Sequence, residues 1–196
     1  MLLLRQGLLI WLFNELRGGG LLFGIENFEF QILNILHNLV DCDFMDFLMV
    51  TVSTIGNSGA VWIVTALLMI ISKKYRRWGA VLGVGLLLGL VFGNIILKNV
   101  IARPRPCWLF EDVNMLISVP LDYSFPSGHT LASFTSAFLL LSADKRLGIP
   151  ALVLAILIAF SRMYLFAHFP TDVLGAMAIS GIIYLLLVKR FKNKEL

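Results

Sequence analysis

Three short stretches place ionisable and phosphate-compatible residues beside long apolar runs. Lys98 is followed by Arg103, Pro104, Arg105 and Pro106; Pro126, Ser127, Gly128 and His129 come before another run; Ser161 and Arg162 are followed by His168 and Asp172. Arginine presents a planar fork of donors matched to phosphate oxygens, and lysine a compact point charge. Histidine takes up or releases a proton near neutral pH. Ionisable groups are costly within a bilayer, so their presence beside such segments marks a functional site by default. The chemistry this set suits is phosphoryl transfer at a membrane.

Each stretch also constrains its local backbone. Pro104 and Pro106 stop the helix that carries Lys98, leaving a cation on a rim and then an extended basic turn. Such cations can also snorkel to headgroups or compensate a helix C-terminus, which is the reading given to Arg103. Ser127 suits an N-cap for the helix beginning near Thr130, whose first amides form an anion site that Gly128 lets a ligand approach. His129 adds a proton donor there, although the tripeptide alone also fits a plain cap. Arg162, inside an apolar run, needs a partner or a route to water. Pro170 fits the first turn of a following helix. Asp172 either complements that helix N-terminus or fixes the tautomer of His168, exposing the other ring nitrogen as a nucleophile.

The elements that must hold these residues are membrane helices. Of the 196 residues 59% are hydrophobic and only 14% charged, in long uninterrupted runs, which excludes an ordinary soluble domain. Spans are predicted at 55–72, 79–97, 130–142, 149–167 and 171–188. The third is short and fits a buried or re-entrant segment as well as a crossing; a crossing returns Arg162 and His168 to the side of His129. Residues 1–13, apolar apart from Arg5 and Gln6, fit a first span or an interfacial helix, and glycines 18–20 break the pattern. No small-residue cleavage site follows, so the segment is read as retained. Stretches 28–40 and 44–55 mix apolar residues with Glu29, Asn34, His37 and Asn38, as amphipathic helices near the membrane surface do. The expected fold is all-α, an integral membrane bundle of five to six transmembrane helices with N-terminal amphipathic helices. It divides into an N-terminal region 1–54, a transmembrane core 55–190 and a basic tail 191–196.

Charge sets the expected orientation. Lys73, Lys74, Arg76 and Arg77 share one loop, Lys145 and Arg146 another, and Lys189, Arg190, Lys192 and Lys194 the tail. The predicted spans put all three groups on one face, which the positive-inside rule makes cytoplasmic. The three stretches then open on the opposite face, where Glu111, Asp112 and Asp122 lie. A net charge of +4 fits anionic lipid and gives no case for nucleic acid. Cys42 and Cys107 have neither metal-ligand spacing nor a disulfide framework and read as free buried thiols. Gly85, Gly89 and Gly93 permit close helix approach, with packing inside the bundle favoured over dimerisation; the oligomeric state stays open.

In order, the stretches resemble the signature of the type 2 phosphatidic acid phosphatase superfamily: Lys, six residues, Arg-Pro; then Pro-Ser-Gly-His; then Ser-Arg, five residues, His, three residues, Asp. Lys98 with Arg105 and Pro106 matches the first part, selecting Arg105 over Arg103. Residues 126–129 match the second, and Ser161, Arg162, His168 and Asp172 the third. The resemblance covers about residues 56–188. Soluble vanadium haloperoxidases share the site pattern, but the hydrophobic spans are similar to those of the lipid phosphatase branch. The resemblance implies a phosphoenzyme: His168 as nucleophile oriented by Asp172, His129 protonating the leaving oxygen, and Lys98, Arg105, Ser127, Gly128 and Arg162 holding phosphate. It implies no metal and no cofactor.

The expected partners are a lipid phosphate and the bilayer, at the outer face of a bacterial cytoplasmic membrane. Undecaprenyl diphosphate leads as substrate, followed by phosphatidylglycerol phosphate and phosphatidic acid. A lipid phosphotransferase using the same phosphohistidine is the alternative. An anion transporter ranks lower, because the fixed spacing and the His-Asp pair argue for chemistry. The brief linker 107–124 leaves little material for a lid, so a lipid is expected to arrive laterally between helices.

Overall fold

The computed structural model describes residues 25–110 and 113–192. Nine α-helices occur among the described residues: α1 (Glu26–Val40), α2 (Asp43–Ile55), α3 (Ala60–Ile71), α4 (Arg76–Leu88), α5 (Lys98–Ile101), α6 (Pro106–Leu109), α7 (Gly128–Ala143), α8 (Lys145–Tyr164) and α9 (Pro170–Lys192). A 3-10 turn, Asn57–Gly59, separates α2 from α3, and a π-helical stretch, Gly89–Leu97, joins α4 to α5. No strand occurs among the described residues. The predicted segment 1–13, glycines 18–20, Glu111, Asp112 and Lys194 lie outside them.

Three helical runs are long and apolar enough to cross a membrane: one beginning at Arg76, then α8 and α9. A fourth arises if α2 and Asn57–Ile71, bent by 41°, act as one. By this measure the five to six predicted spans become three or four among the described residues. The predicted span 55–72 is corrected: its helix starts at Ala60, because Ser58 and Gly59 adopt left-handed backbone conformations that end regular helix. The predicted span 130–142 becomes α7, which at 16 residues is still short for a crossing.

Its surroundings explain how α7 tolerates that length. It packs on α8, α9, α4 and the π-helical stretch, and residues on all its sides are buried, including Leu131, Phe134, Ala137 and Leu140. Helices enclosed all round need no polar face. Its serines are satisfied within the bundle: Trp62 Nε1 donates to Ser133 Oγ at 3.0 Å, and Ser136 Oγ to Ala132 O at 2.8 Å. The predicted glycine stripe packs against this helix, for a Cβ on Gly93 would lie 2.2 Å from Leu131 Cδ2. Leu67, Leu87, Phe92, Val153, Ile156 and Leu186 point outward, as lipid-facing side chains do.

Helix α1 buries Glu26, Glu29 and Leu33 against the bundle, whereas Phe28, Ile35 and Leu39 are exposed. The acids find a buried guanidinium inside. At the far end Tyr75 Oη donates to Asp144 Oδ2 at 2.6 Å and the Trp78 ring packs at a tilt against Phe191, centroids 5.0 Å apart. These contacts gather the turns bearing Lys74 and Lys145 and the end of α9 at one end of the bundle, opposite Lys98, Gly128 and His168.

Candidate active site

The loops carrying the three stretches converge at one end of the bundle. Ala102 and Phe166 have φ of 50° and 52°, a conformation costing an L-residue about 1–2 kcal/mol. Ala102 reverses the chain after Lys98 and so returns Arg103 and Arg105 to the core. Phe166 ends α8 and leads into His168. A cavity of about 1130 Å³ opens here, lined by Lys98, Arg105, Gly128, His129, Arg162 and His168. Ser127 and Asp172 stand behind its wall, fully buried.

His168 sits between two differently charged groups. Its Nε2 lies 3.1 Å from Arg105 Nη1, and its Nδ1 lies 3.3 Å from Ser124 Oγ and 3.7 Å from Asp172 Oδ2. Ser124 Oγ donates to Asp172 Oδ2 at 2.5 Å. The expected link between His168 and Asp172 therefore runs through a serine hydroxyl, since 3.7 Å exceeds a hydrogen bond. One tautomer satisfies both sides: Nδ1–H donates to Ser124, and Nε2 faces Arg105 with its lone pair. Burial, reinforced by Arg105, Arg162 and Lys98, holds the imidazole well below its ordinary range, favouring the neutral ring.

Asp172 meets both of its sequence-level readings. Its Oδ2 accepts from Phe169 N at 2.8 Å, a first-turn carboxylate reaching back to its own helix N-terminus. Its Oδ1 accepts from Arg103 Nη1 at 2.6 Å. Arg103 is thereby corrected from a snorkelling cation to a buried one. Besides Asp172 it donates to Thr171 Oγ1 at 2.6 Å, Glu29 Oε2 at 2.5 Å and Glu26 Oε1 at 3.3 Å. Its guanidinium also lies 4.4 Å from the Phe169 ring centre. Thr171 N donates to Glu29 Oε1 at 2.8 Å, so α1 caps α9 from outside.

The phosphate-compatible groups differ in how they are held. Arg105 donates from Nε to Asp122 O, from Nη2 to Asp122 Oδ1 and from Nη1 to Ala167 O, each at 2.6 Å. Lys98 Nζ pairs with Asp122 Oδ2. Burial pushes the Asp122 carboxyl up, but the hydrogen bond from Lys98 and the charge of Arg105 prevail and hold it down at about 2. Arg162 Nη1 donates to Ser53 Oγ from α2, while its buried Nε has no partner among the described residues. Ser127 Oγ accepts from Thr130 Oγ1 at 3.0 Å, so that hydroxyl serves the cap of α7. Ser127 N donates to Asp172 O at 3.2 Å, tying the second stretch to the third. His129 Nε2 lies 3.0 Å from Asn57 Oδ1.

Sequence reasoning missed Glu26, Ser53, Asn57 and Ser124, treated Glu29 only as part of an amphipathic pattern, and treated Asp122 only as surface charge. Two acids one helical turn apart in an apolar segment, with no base beside them, were the available signal for a distant cation. Nothing in the sequence pairs Ser124 with His168, because that contact is made by the fold.

Comparison with known proteins identifies the family. A model of the PAP2 superfamily matches residues 77–196. An undecaprenyl-diphosphatase of Sulfolobus acidocaldarius is 32% identical over 189 residues, covering 96% of this chain and 89% of that one. Phosphatidylglycerophosphatase B of Bacillus subtilis is 39% identical over 126 residues, covering 56% of this chain and 59% of that one. The crystal structure of Aquifex aeolicus LpxE superposes with a TM-score of 0.71 at 30% identity, covering 81% of this chain and 93% of that one. The PAP2-type phosphatidylglycerolphosphate phosphatase of Bacillus subtilis shares the fold, with a TM-score of 0.70 at 24% identity over 99% of this chain and 98% of that one. The chain belongs to the PAP2 superfamily and is a membrane phosphatase of that family.

Proposed function

We propose that this phosphatase removes the terminal phosphate of a membrane lipid phosphate or diphosphate through a phosphohistidine. The observation that carries the reading is the continuity of the cavity. From His168, His129 and the cations it extends between α3 and α4 to Leu67, Ile70 and Gly83, so an apolar groove adjoins a cationic seat. The groove runs along α4 and the π-helical stretch, past Gly83, Leu87 and Leu90 to Lys98. Undecaprenyl diphosphate leads, with phosphatidylglycerol phosphate next and phosphatidic acid third.

Nε2 of His168 attacks phosphorus while the bond to the lipid oxygen breaks, and His129 delivers the proton that oxygen requires. Lys98, Arg105, Arg162 and the amide of Gly128 hold the equatorial oxygens as charge redistributes. Water then attacks phosphorus, returning the ring nitrogen and releasing inorganic phosphate. No metal takes part. Counting α7 and the bent α2–α3 pair as crossings gives five spans, with the basic end and the C-terminus cytoplasmic and the site on the outer face.

Phosphate release by the purified chain in detergent with EDTA tests this, comparing the three lipids with His168→Ala as control. Release that survives chelation and disappears in the variant is expected. Consumption of lipid phosphate without inorganic phosphate, and with a phosphorylated acceptor, would assign a transferase instead.

A further inference from the structure

The two cations that grip phosphate in the proposed function already share one anion supplied by the chain. Asp122 offers Oδ1 to Arg105 and Oδ2 to Lys98, so one carboxylate bridges both cations with an oxygen each. Two oxygens of a phosphoryl group meet the same pair of donors equally well. The other partners of Arg105 are the carbonyls of Asp122 and Ala167 and the His168 ring, all fixed by backbone or burial. Only the carboxylate is free to leave. The Asp122 side chain is 58% exposed, against 7% for Lys98 and 2% for Arg105, and it lines the cavity that contains His129, Arg162 and His168.

A phosphoryl group and the carboxylate would repel each other on the same two donors, so occupation by one displaces the other. The outcome depends on charge. A terminal phosphate carries about −1.5 to −2 near neutral pH, whereas the phosphodiester of a bulk membrane phospholipid carries a single charge, no more than the carboxylate it must replace. Resting on the phosphatase reading above, we propose that Asp122 is a specificity-determining counter-anion. It occupies the donors of Lys98 and Arg105 and sets a threshold of affinity that a terminal phosphate clears and the more weakly held phosphodiesters around the enzyme do not.

The test is calorimetric binding of inorganic phosphate and of dimethyl phosphate, a monoanionic diester, to the purified full chain in detergent. Wild type, Asp122→Asn and Asp122→Ala are compared, with phosphate release from the lipid substrates measured in parallel. Wild type is expected to bind phosphate and to discriminate against the diester. Both variants bind both anions about ten-fold more tightly, the scale of one charge-assisted contact, because either ligand must displace the same resident anion, and the diester thereby reaches measurable occupancy. The two substitutions guard against one of them perturbing the loop, because a carboxylate that merely braced Lys98 and Arg105 would weaken phosphate binding in both. Turnover with weakened or unchanged binding overturns the counter-anion role and leaves the phosphatase reading standing. A wild type that neither binds phosphate nor releases it from any lipid overturns both.

Discussion

Replacing Arg103 with Met keeps most of the stem and removes the one cation among the described residues that serves Glu26, Glu29 and Asp172. The donors lost include bonds of 2.5 Å to Glu29 and 2.6 Å to Asp172, all within the buried interior. Removing one partner of a buried ion pair costs about 3–5 kcal/mol, because the remaining charge is stranded. For a chain of this length each kcal/mol moves the melting midpoint by about 2–4 °C, giving a loss of roughly 6–20 °C. The damage should also reach catalysis, since Asp172 is held by Arg103 on one oxygen and supports Ser124 with the other. Differential scanning fluorimetry in detergent measures the first effect and single-turnover kinetics the second. Glu29→Gln, which keeps an acceptor for Thr171 N but loses the charge, should fall between wild type and Arg103→Met in both. A folded Arg103→Met protein melting within 2 °C of wild type, with an unchanged single-turnover rate, would refute the argument that this network supports the site.

Ser124→Ala removes the hydroxyl between His168 Nδ1 and Asp172 and leaves those groups 3.7 Å apart; kcat should fall about 10–100-fold with KM little changed, as steady-state kinetics would show. Gly128→Ala would place a Cβ 2.7 Å from Asn94 Oδ1, so a thermal melt should register a loss of about 1–3 kcal/mol. Burial raises the Glu26 carboxyl above its usual 4.5, opposed by Arg103. Its raised value contributes stability at pH below 4.5 that is lost as pH rises through the folded value. The melting midpoint of Glu26→Gln relative to wild type should therefore rise as pH increases above 4.5, and a flat difference would count against the assignment.

The site was legible where chemistry fixes residue type and spacing within one segment. Lys98, Arg105, Gly128, His129, Arg162 and His168 meet at one cavity, as the three stretches implied. What stayed hidden depends on contacts between distant segments. Arg103 looks like a spare arginine in a basic turn, and its meaning appears only when Glu26 and Glu29, 77 and 74 residues earlier, arrive beside it. The burial of Glu26 and Glu29 escaped for a related reason: an amphipathic pattern does not show which of its residues will meet a cation from a distant segment. Span counting faltered at α7 and at Ser58, because short enclosed helices and left-handed breaks leave weak marks in hydropathy.

The distribution of charge around His168 gives the ring a direction. Among the described residues, Lys98, Arg105 and Arg162 on the cavity side face one carboxylate, Asp122. On the buried side one described cation, Arg103, faces Glu26, Glu29 and Asp172. An imidazole between a cationic front and an anionic back keeps its proton on Nδ1, toward Ser124 and Asp172, and its lone pair on Nε2, toward the seat of the phosphate. On the proposed mechanism, phosphorylation at Nε2 would place positive charge on a ring whose Nδ1 side already holds the compensating carboxylate. The acids of α1 thus matter beyond anchoring a helix. They anchor Arg103, which keeps Asp172 in place, so the polarity of the His168 ring rests on residues that lie ahead of the segment matched by the family model.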